Sequence, residues 1–539
     1  MTEAKSDKLY SIDIDQWPTQ VSMRAIDQSL SSPYFTDSFY EQATWIIPVI
    51  RDTGGTSKSE PWTSGEGNYV SNIRKLVKSS GAYALSSLAS PLISLAFAPF
   101  LAHNLSHLDY GALAVLNTAI ALLAGVTQLG LSSAFFRSYN YDYESRVDRL
   151  GVLSTVLILL SLISIPVTIT TAIAAPWLTL ILLGNASFSG PIRLASLVVL
   201  LQNFTVPAFA WLRAEGHAFF FSLLSISNLL INLAAAVVLV GVLHMGIAGS
   251  LVATAMGYGF VIACMLPLIL LRAGICLRLD IAKGLLSFGM PNVATFVSVW
   301  VLQLSDRYLL SRLGSLSLTA SYAAAYSLGG VLSAVVIMPF SLAWPSAMYT
   351  IAKKDNAPQI FRLVFRWFSF VLLFAAFGLS LVGLVMLNLF FPPAYHSAAP
   401  IIPIIAVSIM LYGLYNMFTT GISIRRKVWF AVAFTTTAAV VNIMFNIVLI
   451  PLYGSIGAAL STLIAYAVLV LVAYVVNQWL YPIPFEIGRV IIALLVGLAL
   501  YVLSSFLAQS QGTYMAWGVY GAALCLYGGC LAVLGKLPA

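Results

Sequence analysis

Residues 215–258 read EGHAFFFSLLSISNLLINLAAAVVLVGVLHMGIAGSLVATAMGY, and residues 425–466 read RRKVWFAVAFTTTAAVVNIMFNIVLIPLYGSIGAALSTLIAY. Each is an apolar run, a glycine-bearing break and a second apolar run, the pattern of two membrane-crossing helices joined by a short turn. Laid side by side, Asn232 meets Asn442, and Gly246, Gly249 and Thr254 meet Gly454, Gly457 and Thr462. Asn232 precedes Gly246 by fourteen residues and Asn442 precedes Gly454 by twelve, so the first copy carries two extra residues near its turn. The copies begin 210 residues apart, which is room for six crossings. An even number means that both copies enter from the same side, a parallel repeat of the kind that builds transporters from two rocking halves.

The composition agrees. The chain has 539 residues, of which 60% are hydrophobic and 9% charged, against about 25% charged residues in an average soluble domain. Long apolar runs, rather than strands of alternating polarity, predict helices, because a helix satisfies its own backbone in lipid. Runs of spanning length are predicted at 80–102, 111–135, 150–174, 192–212, 217–241, 247–271, 286–310, 320–345, 365–390, 399–421, 428–450, 455–478, 486–508 and 514–534. The expected fold is thus an all-α polytopic membrane protein of about fourteen transmembrane helices. It divides into a polar tail at 1–78, a first six-helix lobe at 79–283, a second at 284–480, and two appended spans at 481–539. Within the tail, TGGTSKSEPWTSGEGN (53–68) reads as linker, and QATWIIPVI (42–50) is an apolar patch too short to span. The connections are short, the longest being 175–191 and 346–364, which leaves no room for a soluble catalytic domain. The acidic start is not a cleavable signal peptide.

Lysine and arginine set the orientation. Residues 1–78 hold 8 basic and 10 acidic residues, and residues 79–539 hold 19 and 9, for net charges of −2 and +10. With the N-terminus in the cytosol, nineteen basic residues from Arg74 onward fall on the cytosolic side and three, Arg193, Arg307 and Arg312, on the outer side. That bias is the positive-inside signature, and it places both termini in the cytosol. Two of the three exceptions lie in one stretch, WVLQLSDRYLLSRLG at 300–314. Ionisable groups at membrane depth are costly and mark functional positions. Arg307 is therefore the leading candidate for holding an anionic substrate, with Asp306 as its partner and Arg312 close by. Snorkelling of Arg307 and Arg312 to headgroups is the alternative.

The remaining chemistry is sparse. Cys264, Cys276, Cys525 and Cys530 have no metal or redox spacing and read as buried small hydrophobes. His103, His107 and Asp109 share the first outer loop and read as solvated. No metal pair, nucleophile triad, phosphate-cradling glycine loop or nucleic-acid footprint occurs, so the residues give no support to an enzyme.

GIAGSLVAT and YGSIGAALST, with LSHLDYGALAVLNTAIALLAGVTQLGLSSAFFR at 105–137 and FGMPNVATFVSVWVLQLSDRYLLSRLG at 288–314, resemble segments of the O-antigen and exopolysaccharide flippases, over about residues 75–510. That family is related to the lipid II flippase and to multidrug and toxin extrusion transporters. The resemblance implies a plasma-membrane (inner-membrane) transporter that flips a polyprenyl-pyrophosphate-linked oligosaccharide by alternating access. It implies no cofactor, a proton or sodium gradient as the driving force, and a polysaccharide polymerase and glycosyltransferases as expected partners beside membrane lipid. In that frame Arg307 meets the pyrophosphate with its planar fork, and Asp306 orients it or takes and releases the coupling ion. Gln303 offers an amide to sugar hydroxyls and Trp300 a ring for stacking. Arg137 and Arg213, whose plainer reading is the positive-inside bias alone, would receive the headgroup at cytosolic entry, and Arg193 would belong to the exit rim. The alternatives are a multidrug or cation antiporter of the same fold, which would favour carboxylates buried among the first six spans, and a lipid II flippase.

Overall fold

The computed structural model describes residues 96–425, 427, 429–509 and 513–536; the tail at 1–78, with its linker and apolar patch, and most of the first predicted span lie outside them. The described helices are α1 (His107–Thr127), α2 (Leu131–Arg137), α3 (Arg146–Ile173), α4 (Ala175–Leu183), α5 (Ser189–Ala214), α6 (Ala218–Ala236), α7 (Gly246–Ala273) and α8 (Leu279–Leu313). They continue as α9 (Leu316–Leu332), α10 (Met338–Ala352), α11 (Ala357–Phe390), α12 (Ile401–Phe418), α13 (Thr420–Ile424), α14 (Trp429–Leu480), α15 (Ile487–Gln509) and α16 (Thr513–Lys536). No strand occurs among the described residues, and twelve helical stretches are long and apolar enough to cross a membrane.

Several ends follow from local chemistry. Ser106, Ser145 and Ser315 cap α1, α3 and α9, each hydroxyl accepting from a backbone N–H three residues on. Pro166, Pro207, Pro291 and Pro345 sit inside α3, α5, α8 and α10. Pro166 cannot bond back to the Leu162 carbonyl four residues before it, and one turn on Thr170 Oγ1 donates to the Pro166 carbonyl at 2.8 Å. The α8 helix starts at Leu279, seven residues before the predicted span at 286, because hydropathy marks where the bilayer begins and not where the helix does. The predicted connection 175–191 holds a short helix, α4, closed by Gly184 at φ 69°. Cys276 and Cys525 are exposed rather than buried: a helix face turned to lipid stays apolar without a protein partner, and Cys276 lies in the loop before α8.

The 52 residues of α14 would run about 78 Å as one rod, far beyond a bilayer core of about 30 Å. They break at Gly454, with φ 57°, into two arms. The aligned Gly246 opens α7 with φ 59°. Both are left-handed positions that a side chain rarely adopts. Three residues on, Gly249 and Gly457 each let their helix close on a carbonyl of the preceding one, Leu239 and Leu449 respectively. The two extra residues of the first copy are absorbed by π-helical turns at Val237–Val242 and by Leu243–Met245. A Cβ at Gly457 would overlap the Leu449 oxygen, whereas at Gly249 it would lie 3.1 Å from that of Leu239. Gly457→Ala is accordingly expected to lower the thermal midpoint in detergent well below that of Gly249→Ala, by about 1–3 kcal/mol of overpacking; equal midpoints would contradict the close approach.

The centre of the fold is α8, which packs against α14, α1, α9 and α2. Its seam with α1 and α2 is tight at mid-depth, where Trp300 Nε1 donates to Thr118 O at 3.0 Å and Gly125 lies against the Phe296 ring, while at the outer end α1 closes on α9 instead, with Gly111 against the Leu316 carbonyl. Near the basic end, where the chain breaks at Leu129 (φ 48°) and Gly130 (φ 63°), Gly130 meets the backbone of Gly289.

Candidate functional site

Adjacent residues on a helix point about 100° apart, so Asp306 and Arg307 face different neighbours. Asp306 is 1% exposed. Its carboxylate accepts from the Tyr322 hydroxyl of α9, from Thr462 Oγ1 of α14 at 3.5 Å and from the Arg307 backbone N–H at 2.8 Å. The Arg307 guanidinium lies 3.9 Å from Asp306 Oδ1, donates to Gln303 O at 3.1 Å, and stands 4.5 Å above the Tyr326 ring. An arginine set between a carboxylate and an aromatic face is held by both attractions at once. From across the seam, Tyr110 of α1 lies within electrostatic reach of Arg307.

Behind Asp306 lies a polar patch inside the protein. Ser305 Oγ reaches Asn442 Oδ1 at 3.4 Å, and Asn446 Nδ2 donates to the same oxygen at 3.0 Å. Asn442 and Asn446 are fully buried, one turn apart on the first arm of α14, while Thr462 comes from the second arm. Asn442 Nδ2 and Asn446 Oδ1 have no hydrogen-bond partner among the described residues, a cost of about 1–3 kcal/mol for each such atom. Of these groups Thr462 meets Asp306 directly, whereas Asn442 meets Ser305, the neighbour of Asp306 on α8, and Asn446 meets Asn442. No group of three or more His, Cys, Asp or Glu able to hold a metal occurs among the described residues.

A model of the family described as polysaccharide biosynthesis protein matches residues 76–345, a segment that contains Asp306, Arg307, Tyr322 and Tyr326. The chain belongs to the polysaccharide biosynthesis protein family. Among solved structures it is similar to the lipid II flippase MurJ in an inward closed conformation, with TM-score 0.68 and 16% identity over 84% of this chain and 98% of that one. It is also similar to a multidrug resistance MATE family transporter of the MOP superfamily in an inward-facing conformation, with TM-score 0.56 and 15% identity over 74% of this chain and 97% of that one. At such identities the likeness is one of fold. No curated protein matches the sequence.

In this member of the polysaccharide biosynthesis family the other sequence-predicted residues disperse. Gln303 stays beside Arg307, its backbone carbonyl accepting from the guanidinium at 3.1 Å. Trp300 is tied across the seam to α1 by its indole N–H. Arg312 is exposed and donates to Leu180 O at 3.1 Å, and Ser311 Oγ reaches Leu182 O at 3.4 Å, so both cap the C-terminal turn of α4. Arg193 is exposed near the start of α5. Arg137 and Arg213 share a corner on the basic side. Arg137 lies 4.7 Å over Phe288 with Asp142 at 3.7 Å, and Arg213 lies over Phe136 and Phe221. His107 is more than solvated: its Nδ1 pairs with Ser317 Oγ at 2.8 Å and its Nε2 with Ser321 Oγ at 3.2 Å, joining α1 to α9 at the outer end. Tyr322, Tyr326 and Asn446 were not singled out from the sequence. Asn442 and Thr462 were, as positions of the repeat, and the one-turn spacing of Asn442 and Asn446 was the available signal.

Proposed function

We propose that the protein moves a polyprenyl-pyrophosphate-linked oligosaccharide from the cytosolic to the outer leaflet of the plasma membrane, supplying surface polysaccharide synthesis. The observation that carries this reading is Arg307, a guanidinium inside a membrane span, anchored by Asp306 and Tyr326 beside the α1–α8 seam. A pyrophosphate crossing the membrane needs charge-assisted donors along its way, and a planar fork supplies them in pairs. The two lobes expected at 79–283 and 284–480 rock about this seam, and both termini stay in the cytosol. Asp306, with the hydroxyl of Thr462 beside it, takes and releases the coupling ion, a proton or sodium. Family membership supports the polysaccharide pathway, and the MurJ-like fold supports a lipid-borne cargo. A cation antiporter of the same fold is disfavoured because, among the described residues, no buried carboxylate lies in the helices before α8.

The test is a host lacking the protein, compared with the same host re-expressing it, in which cytosol-facing lipid-linked oligosaccharide and mature surface polysaccharide are both measured. Loss of the protein is expected to raise the first pool and deplete the second, with re-expression reversing both. If neither pool moves, glycan flipping is the wrong function and the antiporter reading takes its place.

A further inference from the structure

On the basic side, α11 and α15 begin next to each other, and the loop between α14 and α15 is pinned beside them. Gln478 exchanges hydrogen bonds with Ile483, at 2.6 Å to its carbonyl and 3.1 Å from its N–H, and Arg425 Nε donates to Leu480 O at 3.2 Å. Glu486 ends this loop with its side chain only 10% exposed. Three arginines converge on it: Arg489 Nη1 at 3.0 Å, Arg362 Nε at 3.6 Å and Arg366 Nη1 at 3.6 Å. Only the first is a hydrogen-bonding distance. Neither Glu486 oxygen nor the buried Arg366 Nε has a hydrogen bond of good geometry among the described residues. Three guanidinium groups thus share one carboxylate by charge attraction without a hydrogen bond of good geometry, which leaves positive charge in excess and is a costly state for partly buried groups.

We propose that this corner binds the phosphate of an acidic phospholipid. The site lies in the first turns of two membrane helices, the depth at which headgroups sit, and basic pockets between helices on this side are suited to anionic lipids. The Arg362 side chain is 37% exposed and opens the corner to the bilayer. The neighbouring surfaces are apolar on both helices, with Leu363 and Trp367 on α11 and Ile492 and Leu495 on α15 all exposed. A phosphodiester would accept from the Arg362 and Arg366 forks while its chains lie along those side chains. The site fixes the two appended helices to α11 through a lipid, and it does not depend on the transport reading.

The experiment is thermal unfolding of the purified full chain in detergent, titrated separately with phosphatidylglycerol, phosphatidylcholine and sodium pyrophosphate. Phosphatidylglycerol is expected to raise the midpoint and phosphatidylcholine to leave it unchanged. Arg362→Gln should weaken the apparent affinity for phosphatidylglycerol about fivefold, from roughly 1 kcal/mol per basic residue at the surface. Glu486→Gln should lower the lipid-free midpoint yet bind phosphatidylglycerol more tightly, because the competing negative charge is gone. A joint that is only an ion-pair cluster would lose stability in Glu486→Gln with no gain in lipid response. Equal responses to the two lipids, or an Arg362→Gln response equal to wild type, overturns the proposal. Full replacement of the lipid by pyrophosphate makes this a free-anion site instead. Should Arg362→Gln fail to fold, the lipid bound to Arg362→Lys is counted by native mass spectrometry; loss of the planar fork should lower it, and unchanged lipid counts against the site.

Discussion

Replacing Asp306 by Asn and Arg307 by Gln together is expected to leave a folded protein that no longer transports. Each single change should be worse folded than the pair. Arg307→Gln strands a carboxylate that is 1% exposed, and removing one partner of a buried ion pair costs about 3–5 kcal/mol. Asp306→Asn strands the guanidinium, whose side chain is 13% exposed, with only Tyr326 and the Gln303 carbonyl to hold it. The double variant leaves neither charge stranded, so most of the stability returns, less the packing that the shorter glutamine gives up over the Tyr326 ring. Transport should not return with it. A charge-assisted hydrogen bond to a pyrophosphate is worth about 1.5–3 kcal/mol, roughly tenfold to a hundredfold in affinity, and a carboxamide cannot supply it. The measurement pairs the thermal midpoint in detergent with surface polysaccharide in the deletion host. A double variant that makes wild-type polysaccharide would reduce Asp306 and Arg307 to a structural insert.

Gly289→Val is the second large effect, and it acts on one conformation. In the closed seam a Cβ at Gly289 would overlap the Leu129 carbonyl oxygen and press on the Gly130 backbone that follows it. Backbone cannot swing aside as a side-chain tip can, so α8 must part from α2. Overpacking of about 1–3 kcal/mol falls on the closed arrangement alone, which shifts the balance toward opening on the basic side by about fivefold to a hundredfold. Thiol labelling of a cysteine introduced at Ser133, with the four native cysteines removed, should therefore accelerate in Gly289→Val, and surface polysaccharide should fall. Gly284→Val is the control, since nothing lies within 4 Å of its added Cβ. Labelling that rises equally in both variants, or in neither, would mean that this seam is not a gate.

Much of the scaffold is legible in the chain itself, because lipid forces each crossing to be a long apolar helix and forbids hidden alternatives. The Asp306–Arg307 pair is legible too, since two charges in an apolar run have no bland composition to hide in. What cannot be read is which way each points. Helical period shows that Trp300, Gln303 and Arg307 share a stripe, but not that Trp300 turns to Thr118 on α1 while Arg307 turns to Tyr326 on α9. Tyr322 and Thr462 stand 16 and 156 residues from the carboxylate that they serve, and nothing about a tyrosine or a threonine in an apolar run announces such a partner. Arg312 misleads for a related reason. Its charge reads as substrate chemistry, yet it closes α4, a helix that the sequence left as a connection. Arg137 and Arg213 look like naked cations in the sequence, whereas the fold lays each over an aromatic ring.

The turns at Gly246 and Gly454 carry a consequence for how this chain could have grown from a duplicated half. The two hairpins differ in length by two residues, yet both reach the same left-handed glycine and the same helix-on-carbonyl contact three residues later. The surplus is shared between a widened coil before the turn and the three non-helical residues Leu243–Met245. The glycine and the carbonyl contact behind it are therefore the fixed points of the two hairpins, and the few residues just before the glycine are the part with slack. A membrane hairpin built this way can accept insertions beside its turn, provided that the glycine still lands where the next helix must close.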